Sequence, residues 1–202
     1  YGYPTPMTTT ETPSNITSRP QPATDSRPGS NIILIGMAGS GKTTIGKALS
    51  HRLGLAHVDT DHLLEAWWGI QLQQLRDLLG LEGFLEAEKK CVQGLILEDC
   101  VISTGGSVVY RAEAMRALQA LGPIIGLTAG FPAIAERIAR NPHRGLAIAE
   151  GQTLEDLYRE RQNLYQSWSD LCIATDTHPI AACVQTIEEW LHGQKEGPAE
   201  RI

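Results

Sequence analysis

The stretch "NIILIGMAGSGKTTIGKALSHRLG", residues 31–54, constrains the fold more than any other part of the chain. It opens on a β-branched apolar run, the pattern of a strand buried on both faces. It continues as a glycine-rich turn and then as a helix pattern that Gly54 can close. From Gly36 to Thr43 the turn spells G-x-x-x-x-G-K-T. At that spacing backbone N–H groups curl around phosphate oxygens, and the following helix points its positive end at them. Gly36, Gly39, Ser40 and Gly41 are the candidate cradle, with Thr44 beside it in the first helical turn. Lys42 would reach the β- and γ-phosphates, and the Thr43 hydroxyl would ligate Mg²⁺. A glycine-rich turn matching by accident has no reason to sit between a buried strand and a helix. ATP and Mg²⁺ are therefore the expected nucleotide and metal.

The same alternation runs through the rest of the chain. "LAHVD" reads as a second strand, and residues 61–98 read as mostly helical with breaks near Gly69, Gly80 and Gly83. "CVIST", "PIIGLT" and "LCIAT" read as further strands. "RAEAMRALQALG" and "PAIAERIARN" read as helices between them, and "HPIAACVQTIEEWLHG" as a closing helix. Strands alternating with helices imply a parallel sheet covered on both faces. In such sheets ligands gather outside the carboxyl ends of the strands. Asp59 ends the second strand, so it can approach a metal held by Thr43. Mg²⁺ usually takes only one or two carboxylates, which leaves Asp61 to face a second substrate. Two solvated loop aspartates are the bland alternative, and Asp59's place at the strand end weighs against it.

Composition bounds the rest. Residues 1–30 are rich in Thr, Ser and Pro and poor in aliphatic side chains, the composition of a disordered tail. Residues 31–192 form one expected domain, and residues 193–202 are expected to fray. A net charge of −6 argues against a nucleic-acid or anionic-membrane partner, since both need clustered Lys and Arg. No apolar run reaches bilayer length and no signal-peptide pattern is present. Cys91, Cys100, Cys172 and Cys183 lack ligand or framework spacing. They read as small buried apolar residues in a reducing compartment, and a cytoplasmic monomer is expected.

From about residue 31 to 192 the chain resembles the shikimate kinase family, P-loop kinases of small metabolites with a nucleoside-monophosphate-kinase-like fold. The shared marks are "GMAGSGKTTIGKAL", "DTD" seventeen residues beyond Lys42, "TGGS" for the family's triple-glycine turn, "PHRGL" and "RQNLYQSW". The resemblance implies a three-layer sandwich around a five-stranded parallel sheet. It also implies a helical substrate-binding insert over residues 61–98 and a lid over 141–152. By the same resemblance Asp59 serves the magnesium, and Asp61 orients or deprotonates the attacking hydroxyl. Gly105 and Gly106 bring backbone N–H groups to the substrate, Arg144 closes over the phosphates, and Arg161 grips the substrate carboxylate. On residues alone, Arg144 and Arg161 read equally as surface ion-pair partners.

The pattern departs from the family where the acceptor is chosen. The family reads Gly-Glu-x-x-Phe-Arg-x-x-Glu in the insert, and this chain reads "GLEGFLEAE". Gly80, Phe84 and Glu88 stay in register, but Leu81 and Leu85 replace the Glu and the Arg, and Ser107 replaces the third glycine of the turn. Losing a charge-assisted carboxylate contact of roughly 1.5–3 kcal/mol weakens binding about 10- to 100-fold. Arg76 and Arg111 are candidate substitutes. The expected acceptor is shikimate or another small hydroxy acid. The alternative is a smaller acceptor such as homoserine, whose ammonium would meet Asp61 or Glu86. A nucleotide-binding module without turnover is disfavoured by joint retention of Lys42, Thr43, Asp59, Asp61 and Arg144. A nucleoside monophosphate kinase would want more than one lid arginine.

Overall fold

A computed structural model of the chain describes residues 30–140 and 146–196. The Thr/Ser/Pro-rich tail up to residue 29, the first five residues of the expected lid with Arg144 among them, and the last six residues lie outside the described residues.

Five strands form one sheet in the order β2-β3-β1-β4-β5, every neighbouring pair parallel. They are β1 (Ile32–Ile35), β2 (Ala56–Asp59), β3 (Cys100–Ser103), β4 (Ile124–Thr128) and β5 (Leu171–Ala174). The helices are α1 (Lys42–Leu53), α2 (Thr60–Trp68), α3 (Leu72–Gln93), α4 (Ala112–Leu121), α5 (Phe131–Ala139), α6 (Leu154–Trp168) and α7 (Ile180–Glu196). Alternate side chains of a strand point to opposite faces, and β1 shows the consequence. Ile33 and Ile35 pack with Met115 and Leu118 of α4 and Leu157 and Tyr165 of α6. Ile32 and Leu34 pack with Ile45 and Leu49 of α1 and Val184 and Ile187 of α7. These are the three layers expected from the alternation. A third apolar cluster joins α2 and α3 through Leu64, Leu72, Leu75, Phe84, Leu85 and Cys91 and reaches Ala147.

Several local readings shift. The insert is helical only to Gln93, and Gly83 lies within the helix without breaking it. The break in α3 is at Gly80, whose φ of 66° and ψ of 179° leave the helical region. Helix α6, which holds Arg161, did not stand out as an element in the sequence. It begins on a reciprocal cap, with Thr153 Oγ1 accepting from Asp156 N at 3.1 Å. Helix α7 continues to Glu196 rather than fraying at 193. Trp67 and Trp68 are 58% and 46% exposed. They lie on the last turn of α2, whose apolar anchor is Leu64. All four cysteines are free, and three are buried as expected. Cys172 is exposed, because β5 is an edge strand on which residues alternate between core and solvent.

Candidate active site

The turn after β1 and the helix that follows it build one wall of a cavity of about 560 Å³. Gly41 starts α1 with a φ of 98°, a left-handed conformation that a residue with a Cβ adopts only under strain. Lys42 is buried and donates from Nζ to the carbonyl oxygens of Gly36 and Met37, at 2.7 and 3.0 Å. Ser40 Oγ is buried without a hydrogen-bond partner among the described residues. Gly39, Gly41, Lys42, Thr43 and Thr44 all line the cavity, as do Arg137 and Thr175 beside the loop. Arg137 Nη1 donates to Gly39 O at 3.0 Å and to Thr175 Oγ1 at 3.2 Å, and Thr175 Oγ1 donates to Ser40 O at 2.8 Å. The loop is thus held open by its neighbours rather than collapsed. A helix N-terminus and a lysine at one wall fit a polyphosphate.

The expected metal pair is assembled. Thr43 Oγ1 donates to Asp59 Oδ2 at 2.7 Å. Asp59 also caps α2, its Oδ1 accepting from Asp61 N at 3.1 Å. Among the described residues no group of three or more His, Cys, Asp and Glu could hold a metal. One hydroxyl with one carboxylate matches the sparse protein ligation typical of Mg²⁺ with bound phosphates. The residues therefore fit MgATP.

Asp61 opens the helical segment read from residue 61 onward. It lies in the first turn of α2, and its carboxylate also lines the cavity. Its Oδ1 is fully shielded and has no hydrogen-bond partner among the described residues. Burial and the nearby Asp59 charge push the Asp61 carboxyl up to about 6. Glu88, 4% exposed, comes in from α3 and accepts from Ser107 Oγ. Burial and the Asp61 charge push Glu88 up to about 8, while the Ser107 hydrogen bond pulls the other way.

Arg161 faces these acids with 1% of its surface exposed. Its Nε donates to Tyr110 Oη at 3.1 Å and its Nη2 to Ala147 O at 2.6 Å, and the guanidinium carbon lies 4.9 Å from the Tyr110 ring centre. Tyr165 Oη donates to Gly106 O at 2.6 Å, which fixes the glycine turn beneath it.

Other sequence-read residues take different places. The N–H of Gly105 is taken by the buried Thr60 Oγ1 at 2.9 Å, so it is engaged within the fold instead of being offered to a substrate. Leu85 does not line the cavity. It is 5% exposed inside the insert's apolar cluster, where its transfer from water favours it. Arg76 donates to Ile148 O, and Arg111 pairs with Glu82, so neither substitute cation reaches the cavity. Glu86 is tied to Lys89 Nζ at 2.6 Å and also stays outside it. Glu88, Arg137, Thr175, Tyr110 and Tyr165 were not singled out for the site. Glu88 alone carried a usable signal, an acid kept in register beside a lost arginine.

The family profile described as Shikimate kinase matches residues 38–192. The chain belongs to the shikimate kinase family. Curated relatives include the shikimate kinase of Francisella tularensis subsp. holarctica, 32% identical over 165 residues, covering 80% of this chain and 94% of that protein. Another is that of Bordetella avium, 35% identical over 159 residues, covering 77% and 76%. Among solved structures, a shikimate kinase from Acinetobacter baumannii in complex with shikimate superposes with a TM-score of 0.76 at 28% identity, covering 83% of this chain and 96% of that one. One from Aquifex aeolicus gives 0.70 at 27%, covering 83% and 99%. Membership in the shikimate kinase family makes this chain an ATP-dependent phosphotransferase that uses Mg²⁺ and acts on a hydroxyl group of a small metabolite. No helix among the described residues is long and apolar enough to cross a membrane.

Proposed function

We propose that the cavity transfers the γ-phosphoryl group of ATP to a hydroxyl of a small carboxylate-bearing metabolite of the shikimate type, in amino-acid biosynthesis. One observation carries the reading. The phosphate wall with Lys42, the Thr43–Asp59 pair, and the acceptor groups Asp61 and Arg161 line a single continuous cavity. Lys42 holds the phosphates, and Thr43 with Asp59 holds the metal. Bound MgATP supplies the transferable group and the charge that offsets its oxygens.

Asp61, which lines the cavity with its carboxyl raised toward neutrality, orients the acceptor hydroxyl and takes its proton. Arg161, held by Tyr110 and Ala147, meets the acceptor's carboxylate. Gly106 and Ser107 form the floor between them. Arg144 keeps its expected role over the phosphates on the sequence pattern alone. Leu146 and Ala147, within the expected lid, line the cavity. We assign residues 31–192 to this catalytic domain. A single chain carries every group required, consistent with a monomer, and four free thiols favour a reducing compartment such as the cytoplasm.

Removing the phosphate-binding cation tests the reading. Lys42→Met is expected to lower acceptor-dependent ADP formation by about 10²–10³-fold with the circular-dichroism spectrum unchanged. Full turnover in that variant would remove the assignment.

A further inference from the structure

Two side chains of β2 turn toward α1, and only one of them, Asp59, belongs to the metal pair. The other is His57, which shares Asp59's face of the strand. Half-buried, it reaches α1 through the neighbouring strand. Its Nε2 lies 3.0 Å from Ser103 Oγ, and Ser103, 1% exposed, donates from that oxygen to Lys42 O at 3.1 Å. A serine hydroxyl has one proton to give. Ser103 gives it to Lys42 O, so His57 is the donor of the first bond and carries a proton on Nε2. The hydrogen bonds then run in one direction, from His57 through Ser103 to Lys42 O, and each polarises the next.

The helix makes room for this relay. A Cβ on Gly46, inside α1, would lie 2.6 Å from Ser103 Oγ and 2.7 Å from His57 Nε2. Glycine in a helix interior costs about 1 kcal/mol relative to alanine. Here it lets the imidazole and the hydroxyl lie directly against the first turns of α1.

The relay ends at a peptide that faces the phosphates. The C=O of Lys42 and the N–H of Thr43 belong to one planar peptide unit. Because α1 begins at Lys42, that N–H is among the first of the helix, which have no acceptor within it and point out of its N-terminus. Lys42 and Thr43 both line the cavity there. Rotating the carbonyl rotates the N–H with it. The relay and the Thr43–Asp59 bond thus tie two consecutive residues of the phosphate wall to one face of β2.

We infer that His57 and Ser103 are positioning residues for the nucleotide: they fix the Lys42–Thr43 peptide and so aim the Thr43 N–H at the phosphates. Neither lines the cavity, so both act through the helix. A pair that only stapled β3 to α1 would stabilise the fold and leave nucleotide affinity alone.

The test uses full-length protein and MgADP, with binding read by calorimetry well below each variant's melting temperature, where all of it is folded. His57→Met removes the donor and keeps a long side chain, Ser103→Ala removes the link, and His57→Gln keeps an N–H close to the place of Nε2. His57→Met and Ser103→Ala are expected to weaken MgADP about 3- to 10-fold, the worth of one hydrogen bond. His57→Gln is expected to stay within about twofold of the wild type. The double variant of His57→Met with Ser103→Ala should lose no more than Ser103→Ala alone, because the two act as one relay. Variants that melt lower yet bind MgADP as tightly as the wild type overturn the inference. So does a His57→Gln variant no better than His57→Met, and so do additive losses in the double variant. If Ser103→Ala does not fold, His57→Met against His57→Gln decides. A wild type that binds no MgADP removes the nucleotide site itself, and the inference with it.

Discussion

Replacing Glu88 by Gln should flatten the pH dependence of stability. Its carboxyl is raised from 4.5 to about 8 in the fold, first by burial and then by the charge of Asp61. Between those values the unfolded chain releases the proton while the folded chain keeps it. Stability therefore falls as pH rises from 4.5 to about 8 and changes little from this group beyond. Each pH unit in the window costs about 1.4 kcal/mol, so moving from pH 5.5 to 8 costs the wild type about 2–3 kcal/mol through this side chain. Asp61, also raised, adds a contribution of the same sign in both proteins. A glutamine preserves an acceptor for the Ser107 hydroxyl but has no proton to lose. At about 2–4 °C per kcal/mol for a domain of this size, the difference between the two melting temperatures should change by about 5–10 °C across the window, in the variant's favour as pH rises. Circular-dichroism melts at pH 5.5, 6.5, 7.5 and 8 read this directly. Parallel curves would mean that Glu88 is already ionised or solvated in the fold, and the reasoning about its burial would be wrong.

Gly105→Ala places a methyl group 2.0 Å from Glu88 Oε1 and 2.8 Å from Asp61 Oδ1, so both acids must move. It should cost about 1–3 kcal/mol in urea unfolding and depress kcat more than MgATP affinity, and an unchanged kcat would separate the acids from the chemistry. Thr153→Ala removes the reciprocal cap of α6 and should cost about 1 kcal/mol. Because Arg161 lies two turns along that helix, KM for the acceptor should rise only slightly. A large kcat loss would mean that the cap positions the arginine.

Much of the fold was legible because the signals are local. The apolar run Ile32–Ile35, the glycine turn and Lys42–Leu53 each state their own structure within a few residues. The Thr43–Asp59 contact also followed from local facts, since a strand end and a helix start are brought together by the parallel sheet. What escaped depends on contacts between distant segments. Glu88 meets Ser107 across nineteen positions, and its importance lies in the charge that Leu85 no longer supplies. Leu85 looked like a pocket residue by alignment with an arginine, whereas an aliphatic chain at that position gains by turning into the Leu64–Leu75 cluster. Arg137, in the last turn of α5, reads as a helix-end cation until the fold brings Gly39 and Thr175 to it. Cys172 was misplaced because hydrophobicity alone does not say which strand is an edge.

The central claim is that one cavity carries a phosphoryl group from ATP to a small hydroxyl aligned by Asp61. Mass spectrometry of the acceptor after incubation with γ-¹⁸O-labelled ATP, with wild type and Asp61→Asn side by side, tests it most directly. The wild type should deliver labelled phosphate to the acceptor, and the variant should lose about 10²-fold or more of that transfer while still binding nucleotide. Label appearing only as free phosphate at a rate indifferent to acceptor, or undiminished transfer by the variant, would contradict it.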